Sequence, residues 1–223
     1  MLQNLGDCYR LLGDHRRARE CLERGLGESR ERALPYFVTH LLASLAAVDL
    51  AEGSVQDALA HAAAAQEAAA NDDSPPAAAR ADLVAGMALQ AAGDASAREV
   101  LRKAARRHAE LGLEADRLEC LSVLALALHD AGDLEEALRV VEEVLAGSRD
   151  SVVPGVVEPG RTLADAHQVL AAAGDARAAE VAGRAADFLR DRAARIADEE
   201  LRARYLAAPV SVRLAAVASS VVP

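Results

Sequence analysis

The chain has almost no aromatic residues and no tryptophan, so any core must be built from small aliphatic side chains. Aromatic residues make up 2% of the 223 residues, whereas hydrophobic residues as a group make up 52%. Ala and Leu supply most of that fraction, and these residues lose the least conformational freedom on entering a helix. Strand-favouring Ile, Thr and aromatic residues are scarce. The composition therefore predicts an all-α protein with closely packed helices.

Basic residues are also few relative to acidic ones, and Lys103 is the single lysine. The formal net charge is −10 and the sequence pI is about 5.1. Proteins that bind nucleic acids attract the phosphate backbone with clustered Lys and Arg and often stack bases on aromatic rings. Both features are weak here, so we expect no direct binding of nucleic acid.

Cysteines and long apolar runs are missing as well. The three cysteines are Cys8, Cys21 and Cys120, and no two of them form a C-x-x-C pair. An odd and sparse set of this kind is typical of a reducing compartment. No apolar run approaches the ~18 residues that a membrane span needs, and no apolar signal segment lies near the start. These absences predict a soluble, cytoplasmic protein with no membrane partner.

What the sequence does contain is a repeat with a period of about 40 residues. A glycine followed by a helix-capping residue recurs five times, at Gly13-Asp14, Gly53-Ser54, Gly93-Asp94, Gly132-Asp133 and Gly174-Asp175. Glycine can adopt the left-handed conformation that ends a helix, and Asp or Ser can cap the next helix. A small residue that lets two helices approach follows each turn, at Ala18, Ala58, Ala97, Ala137 and Ala179. The pattern predicts helix pairs at 2–12/14–30, 35–52/54–71, 75–92/94–111, 114–131/133–147 and 161–173/175–195.

The first unit carries Leu5-Gly6, Tyr9, Gly13, Ala18 and Leu22 in order. This order resembles the tetratricopeptide repeat (TPR) consensus, and the resemblance recurs in phase over roughly residues 2–190. It implies a right-handed α-solenoid of about five helix-turn-helix repeats with a capping helix pair at the C-terminal end. The period exceeds the family's 34 residues, and in this the chain is similar to the repeat arms of bacterial signalling-ATPase transcriptional regulators.

The sequence also predicts where the chain divides. Repeats 1 to 4 are expected over residues 1–146, a Gly- and Pro-containing linker over 147–160, repeat 5 over 161–195 and capping helices over 196–223. A solenoid's last repeat exposes an apolar face, which the capping segment would cover.

No motif in the sequence calls for catalysis. Residues 155–162 match the phosphate-loop pattern with Arg161 in place of Lys, but Pro159 removes an N–H donor and Glu158 would repel phosphate. The six histidines form neither H-x3-H nor HExxH, so zinc chemistry has no local support. We therefore expect no enzyme activity, no cofactor and no metal.

The resemblance instead implies a non-catalytic scaffold that binds a partner protein or peptide on its concave face. The family's groove positions, which lie on the first helix of each pair, transfer to Asp7, Arg10, His40, Ala47, Leu50, Arg80, Leu83, Met87, Gln90, Glu119, Ser122, Leu126, His129, Arg161 and Gln168. Leu83, Met87 and Leu126 are equally well explained as packing between repeats. The alternative function is the sensor arm of a larger multidomain transcriptional regulator, and a second copy of the chain or domains of the same larger protein are further candidate partners.

Overall fold

The computed structural model describes residues 1–148 and 158–219, and every regular element within these ranges is an α-helix. The twelve helices are α1 (Leu2–Leu11), α2 (His15–Glu31), α3 (Pro35–Glu52), α4 (Val55–Ala70), α5 (Pro75–Ala91), α6 (Ala97–Glu110), α7 (Glu114–Asp130), α8 (Leu134–Gly147), α9 (Pro159–Ala172), α10 (Arg177–Ala194), α11 (Glu199–Ala207) and α12 (Pro209–Ser219). The predicted all-α repeat fold is confirmed, and the predicted helix ends agree with these bounds to within a few residues.

The turns between paired helices have the predicted glycine conformation. Each of the five turn glycines has a positive φ, between 66° and 83°. Gly112, with a φ of 68°, makes the same kind of turn between α6 and α7, and the repeat pattern did not single it out. A left-handed residue ends a helix cleanly because it returns a free N–H to the last carbonyl groups.

The capping residues of the turns divide into two kinds. Asp14 and Asp133 accept hydrogen bonds from the backbone N–H three residues later, as predicted. Asp94 and Asp175 instead accept from the N–H two residues later, and their helices begin further along the chain. Ser54 makes no capping hydrogen bond with its side chain among the residues that the structure describes.

This difference shifts the register of the fifth repeat. Ala18, Ala58, Ala97 and Ala137 are buried as predicted, but Ala179 is exposed. The tighter turn at Asp175 places the corresponding small residue one position earlier, at Ala178, with Ala182 and Ala185 fully buried after it. The prediction for Ala179 was therefore wrong, because it gave the fifth repeat the offset of the first, second and fourth repeats, whereas the turn at Asp175 is of the same kind as the turn at Asp94 in the third repeat.

Two compact units divide the chain, Met1–Leu113 and Glu114–Pro223. In the first unit, α1, α3 and α5 each pair with the following helix, and α3 and α5 also pack on the helix before them. The core is made almost entirely of Ala, Leu and Val side chains, as the composition predicted.

In the second unit, α7 pairs with α8 and α9 with α10, and α12 packs against both α9 and α10. Helix α12 therefore lies where the first helix of a further repeat would pack. Leu214 of α12 is fully buried and lies close to Gly160 of α9. No residue of α11 is buried, so α12 supplies the cap.

Two sequence predictions fall largely outside the described residues. Most of the linker expected at 147–160 and the first part of the phosphate-loop match at 155–162 lie between residues 148 and 158. The described end of that match forms the start of α9, where Arg161 pairs with Glu158. The predicted domain boundaries stay predictions.

Candidate partner-binding surface

The predicted groove positions of the first unit lie on α1, α3 and α5, with spacings of three or four residues that align them along one face of each helix. We call this the groove face of the first unit. Its buried members are Arg10, Ala47, Leu83 and Met87; its partly exposed members are Asp7, His40, Leu50, Arg80 and Gln90. Leu83 is completely buried, so it packs between helices rather than presenting a surface.

Side-chain contacts join neighbouring helices across this face. Ser44 Oγ donates to Asp7 Oδ2 over 3.3 Å, which links α3 to α1. Asp7 Oδ1 also lies 4.0 Å from Nε of Arg10. The hydrogen bond thus connects the polar side chain of Asp7 on the groove face to the neighbouring helix α3.

An aromatic pair extends the groove face at the start of α3. The ring of Tyr36 lies 4.5 Å from that of His40 and meets the ring of Phe37 edge-on at 5.3 Å, measured between centroids. Both aromatic side chains are exposed. The predicted site residues do not include them, although two adjacent aromatics in a chain with five are a signal that could have been read.

In the second unit, the predicted groove positions lie on α7 and α9. Glu119 and Ser122 are buried, Gln168 is exposed, and Leu126, His129 and Arg161 are partly exposed. The partly exposed side chain of Leu126 is the apolar element of this surface.

A buried carboxylate joins α7, α9 and α12 in this unit. Asp165 accepts hydrogen bonds from Ser122 Oγ at 3.0 Å and from Nη2 of Arg213 at 2.7 Å. The same guanidinium lies 3.4 Å from Oε1 of Gln168. Asp165 and Arg213 were not predicted, because they are separated by 48 residues and no local pattern links them.

The charges of this network are set by burial and by each other. Burial raises the pKa of Asp165, and the nearby guanidinium groups of Arg213 and Arg161 offset that rise only in part. For Arg161, burial acts to lower the pKa, but the carboxylates of Glu158, Asp165 and Glu119 outweigh it, so the net pKa is raised. Arg161 therefore stays charged beside these carboxylates.

A metal site and a membrane span have no geometric support in the described ranges. No group of three or more His, Cys, Asp and Glu side chains there could hold a metal ion. None of the described helices is long and apolar enough to cross a membrane.

Comparison with known proteins agrees with this geometry. Residues 1–32, which form α1 and α2, match the tetratricopeptide repeat family model. No curated protein matches the chain.

Three solved structures are similar in fold. A Rap protein complexed with Competence and Sporulation Factor is 16% identical with a TM-score of 0.66, over 99% of this chain and 63% of that protein. A Podosopora anserina kinesin light chain protein with nearly identical TPR-like repeats is 22% identical with a TM-score of 0.57, over 82% of this chain and 90% of that one. A variant of that protein with one substitution is 20% identical with a TM-score of 0.58, over 92% of this chain and 93% of the variant.

These similarities establish a TPR-like helical repeat fold. None of them tests the similarity to bacterial signalling-ATPase arms, which stays a prediction.

Proposed function

We propose that this protein is a non-catalytic scaffold that binds a partner protein or peptide on the groove face of its repeats. The observation that carries the proposal is the make-up of that face in the first unit. Partly exposed Asp7, His40 and Arg80 stand over a buried apolar floor to which Ala47 and Met87 belong. Surfaces with a few placed polar groups over an apolar floor are typical of peptide recognition.

The composition of the face indicates the chemistry of the partner. Leu50 offers a partly exposed aliphatic contact beside the apolar floor that contains Ala47 and Met87. An amphipathic helix or an apolar peptide segment would cover Leu50 and leave its own polar side chains near Asp7 and Arg80. The similar Rap structure contains a bound factor, which supports a binding role for a fold of this kind.

Paired arginine substitutions test this proposal. Leu50 lies on the groove face and Leu59 lies on the second helix of the same repeat, and both are partly buried against the same core. Peptides that bind the wild-type protein are first selected from a displayed library. Their affinity is then measured for the wild type, for Leu50→Arg and for Leu59→Arg. We expect at least about tenfold weaker binding to Leu50→Arg, because a charge placed in an apolar contact costs more than about 1.4 kcal/mol.

The control variant gives the decisive comparison. Leu59→Arg should bind the selected peptides as the wild type does, and thermal unfolding of both variants checks that the fold survives. Equal binding to all three proteins would place the partner elsewhere and contradict the groove face as the site.

A further inference from the structure

A separate apolar cleft lies at one end of the first unit, between the last turns of α2 and α4. It has a volume of about 580 Å³, and we call it the first cleft. Val38 and Leu42 of α3 form its floor, Ala64 and Ala68 of α4 form one wall, and Arg30 and Leu34 lie on the other side. Successive residues of an α-helix are rotated by about 100° around its axis. Val38 and Leu42 therefore lie on the side of α3 opposite His40 and Ala47. The first cleft is therefore distinct from the groove face.

Exposed apolar side chains gather at this end of α3. Leu34 is 39% exposed, Tyr36 41% and Phe37 47%, so three of the large exposed hydrophobic residues lie within four positions of the chain. Ala33, which also lines the first cleft, has a φ of 51°. That conformation costs a residue with a Cβ about 1–2 kcal/mol, so the surrounding structure holds this turn against its local preference.

The next repeat has a cleft at the equivalent place, with a volume of about 370 Å³. Ala78 and Arg107 line this second cleft, one repeat period after Val38 and Glu67 of the first. The two clefts adjoin at the end of α4, because Asn71 lines the first and Asp72 lines the second.

The second cleft is acidic. Asp72, Asp73 and Glu110 line it, and none of these carboxylates forms an ion pair with a residue that the structure describes. The guanidinium of Arg107, which also lines the cleft, shares Asp82 with the ammonium of Lys103, so these three groups carry one net positive charge against the three carboxylates. Buried Oδ2 of Asp72 has no hydrogen-bond partner among the described residues. An apolar cleft thus adjoins a cleft with an excess of negative charge.

We propose that the two clefts form one docking surface for a basic amphipathic helix of a partner protein. Its apolar stripe fills the first cleft, where exposed Leu34 extends the apolar contact, and its Lys or Arg side chains lie over Asp72, Asp73 and Glu110. This surface is additional to the groove face, and either one can fail without the other.

Labelled peptides test the charge preference directly. The probe is a fluorescein-labelled helical peptide with a leucine stripe and lysines at one end, and its counterpart carries glutamates in their place. Fluorescence anisotropy at low salt should show the lysine peptide binding at least about tenfold more tightly than the glutamate peptide, with the difference shrinking as salt is added. Equal binding of the two peptides, or tighter binding of the glutamate peptide, would overturn the proposal.

Protein variants locate the site. Ala68→Arg places a long side chain in the first cleft and should weaken binding of the lysine peptide about tenfold or more, whereas Ala63→Arg, exposed on the same helix and outside both clefts, should not. The triple variant Asp72→Asn, Asp73→Asn, Glu110→Gln should weaken it several-fold, because each exposed ion pair contributes little alone. Arg30→Ala should leave binding equal or tighter, since it removes a positive charge from the wall.

Thermal unfolding confirms that each variant is folded. Unchanged binding to Ala68→Arg, or equal loss with Ala63→Arg, would show that the peptide does not occupy the first cleft. Loss of binding with Leu50→Arg but not with Ala68→Arg would place the peptide on the groove face instead.

Discussion

Two glycines set how closely paired helices approach in the first unit. A Cβ atom at Gly6 would lie 2.6 Å from Cγ of Leu22, and one at Gly86 would lie 2.5 Å from Cδ2 of Leu101. Both glycines occupy the same position in their repeats. The second and fourth repeats have alanine in place of this glycine. In those repeats the residue that corresponds to Leu22 and Leu101 is smaller: it is Ala62 in the second repeat and Val141 in the fourth. The volumes of the two facing positions thus compensate each other from repeat to repeat.

Substituting Gly86 tests this packing. Gly86→Ala should lower the free energy of unfolding by about 1–3 kcal/mol, because Leu101 is fully buried and cannot move away from the added methyl group. Urea titration measures the change.

Gly27→Ala is the matched control, since a Cβ there meets nothing within 4 Å. It should raise stability by about 0.5–1 kcal/mol, through the lower flexibility of alanine in the unfolded chain. A destabilised Gly27→Ala together with a neutral Gly86→Ala would contradict the packing described here.

At the scale of the helices, α12 is held on the last repeat by one ion pair as well as by apolar contacts. Arg213 of α12 contacts Asp165 of α9, and Leu214, the next residue, packs near Gly160. The carboxylate is almost fully buried, while the guanidinium side chain is 38% exposed. The pairing therefore neutralises a buried charge with a partner that reaches in from the surface.

Removing Arg213 should make stability depend on pH. Arg213→Met should cost about 1–3 kcal/mol near pH 7, less than the ~3–5 kcal/mol for breaking a fully buried pair, because water screens the exposed guanidinium. The raised pKa of Asp165 rises further without Arg213. An acid whose pKa is raised by folding does not destabilise the folded protein at pH values below its pKa in the unfolded chain. The loss of stability grows as the pH rises through its pKa in the folded protein.

The melting temperatures of wild type and Arg213→Met should therefore converge as the pH falls from about 7 towards about 4. Arg190→Met, which removes an arginine from the exposed pair with Asp187, should change stability by less than about 0.5 kcal/mol at any of these pH values. A gap that stays constant or widens on acidification would show that the charge of Asp165 is not what Arg213 balances.

At the scale of the whole molecule, the first unit has the elements of an independently stable repeat array. It holds three helix pairs, about the minimum number that repeat proteins need for a continuous core. Val84, Ala85 and Ala88 of α5 belong to the same core cluster as Leu45 of α3. The third pair is thus a structural part of the core of the first two.

Fragments test this view of the first unit. Residues 1–113 expressed alone should be helical by circular dichroism and should unfold cooperatively. Residues 1–74, which lack α5 and its contribution to the core, should be much less stable. If the shorter fragment were as stable as the longer one, the core would not depend on the third pair.

The sequence by itself determined the helices, their ends and the repeat. A left-handed glycine, a capping carboxylate and a run of Ala and Leu act within a few residues of each other, so their effect can be read from local order. The error at Ala179 shows the limit, because the turn at Asp175 differs from that at Asp14 by a single hydrogen bond.

Only the tertiary structure decided which surface each side chain reaches. It buried Leu83 and Met87 of the predicted groove, paired Asp165 with Arg213 across 48 residues, and opened the first cleft behind α3. These outcomes depend on how helices distant in the chain pack, and the same amphipathic pattern is compatible with several such packings. Burial and long-range charge pairing are therefore properties of the assembled repeats, whereas the helices are properties of the chain.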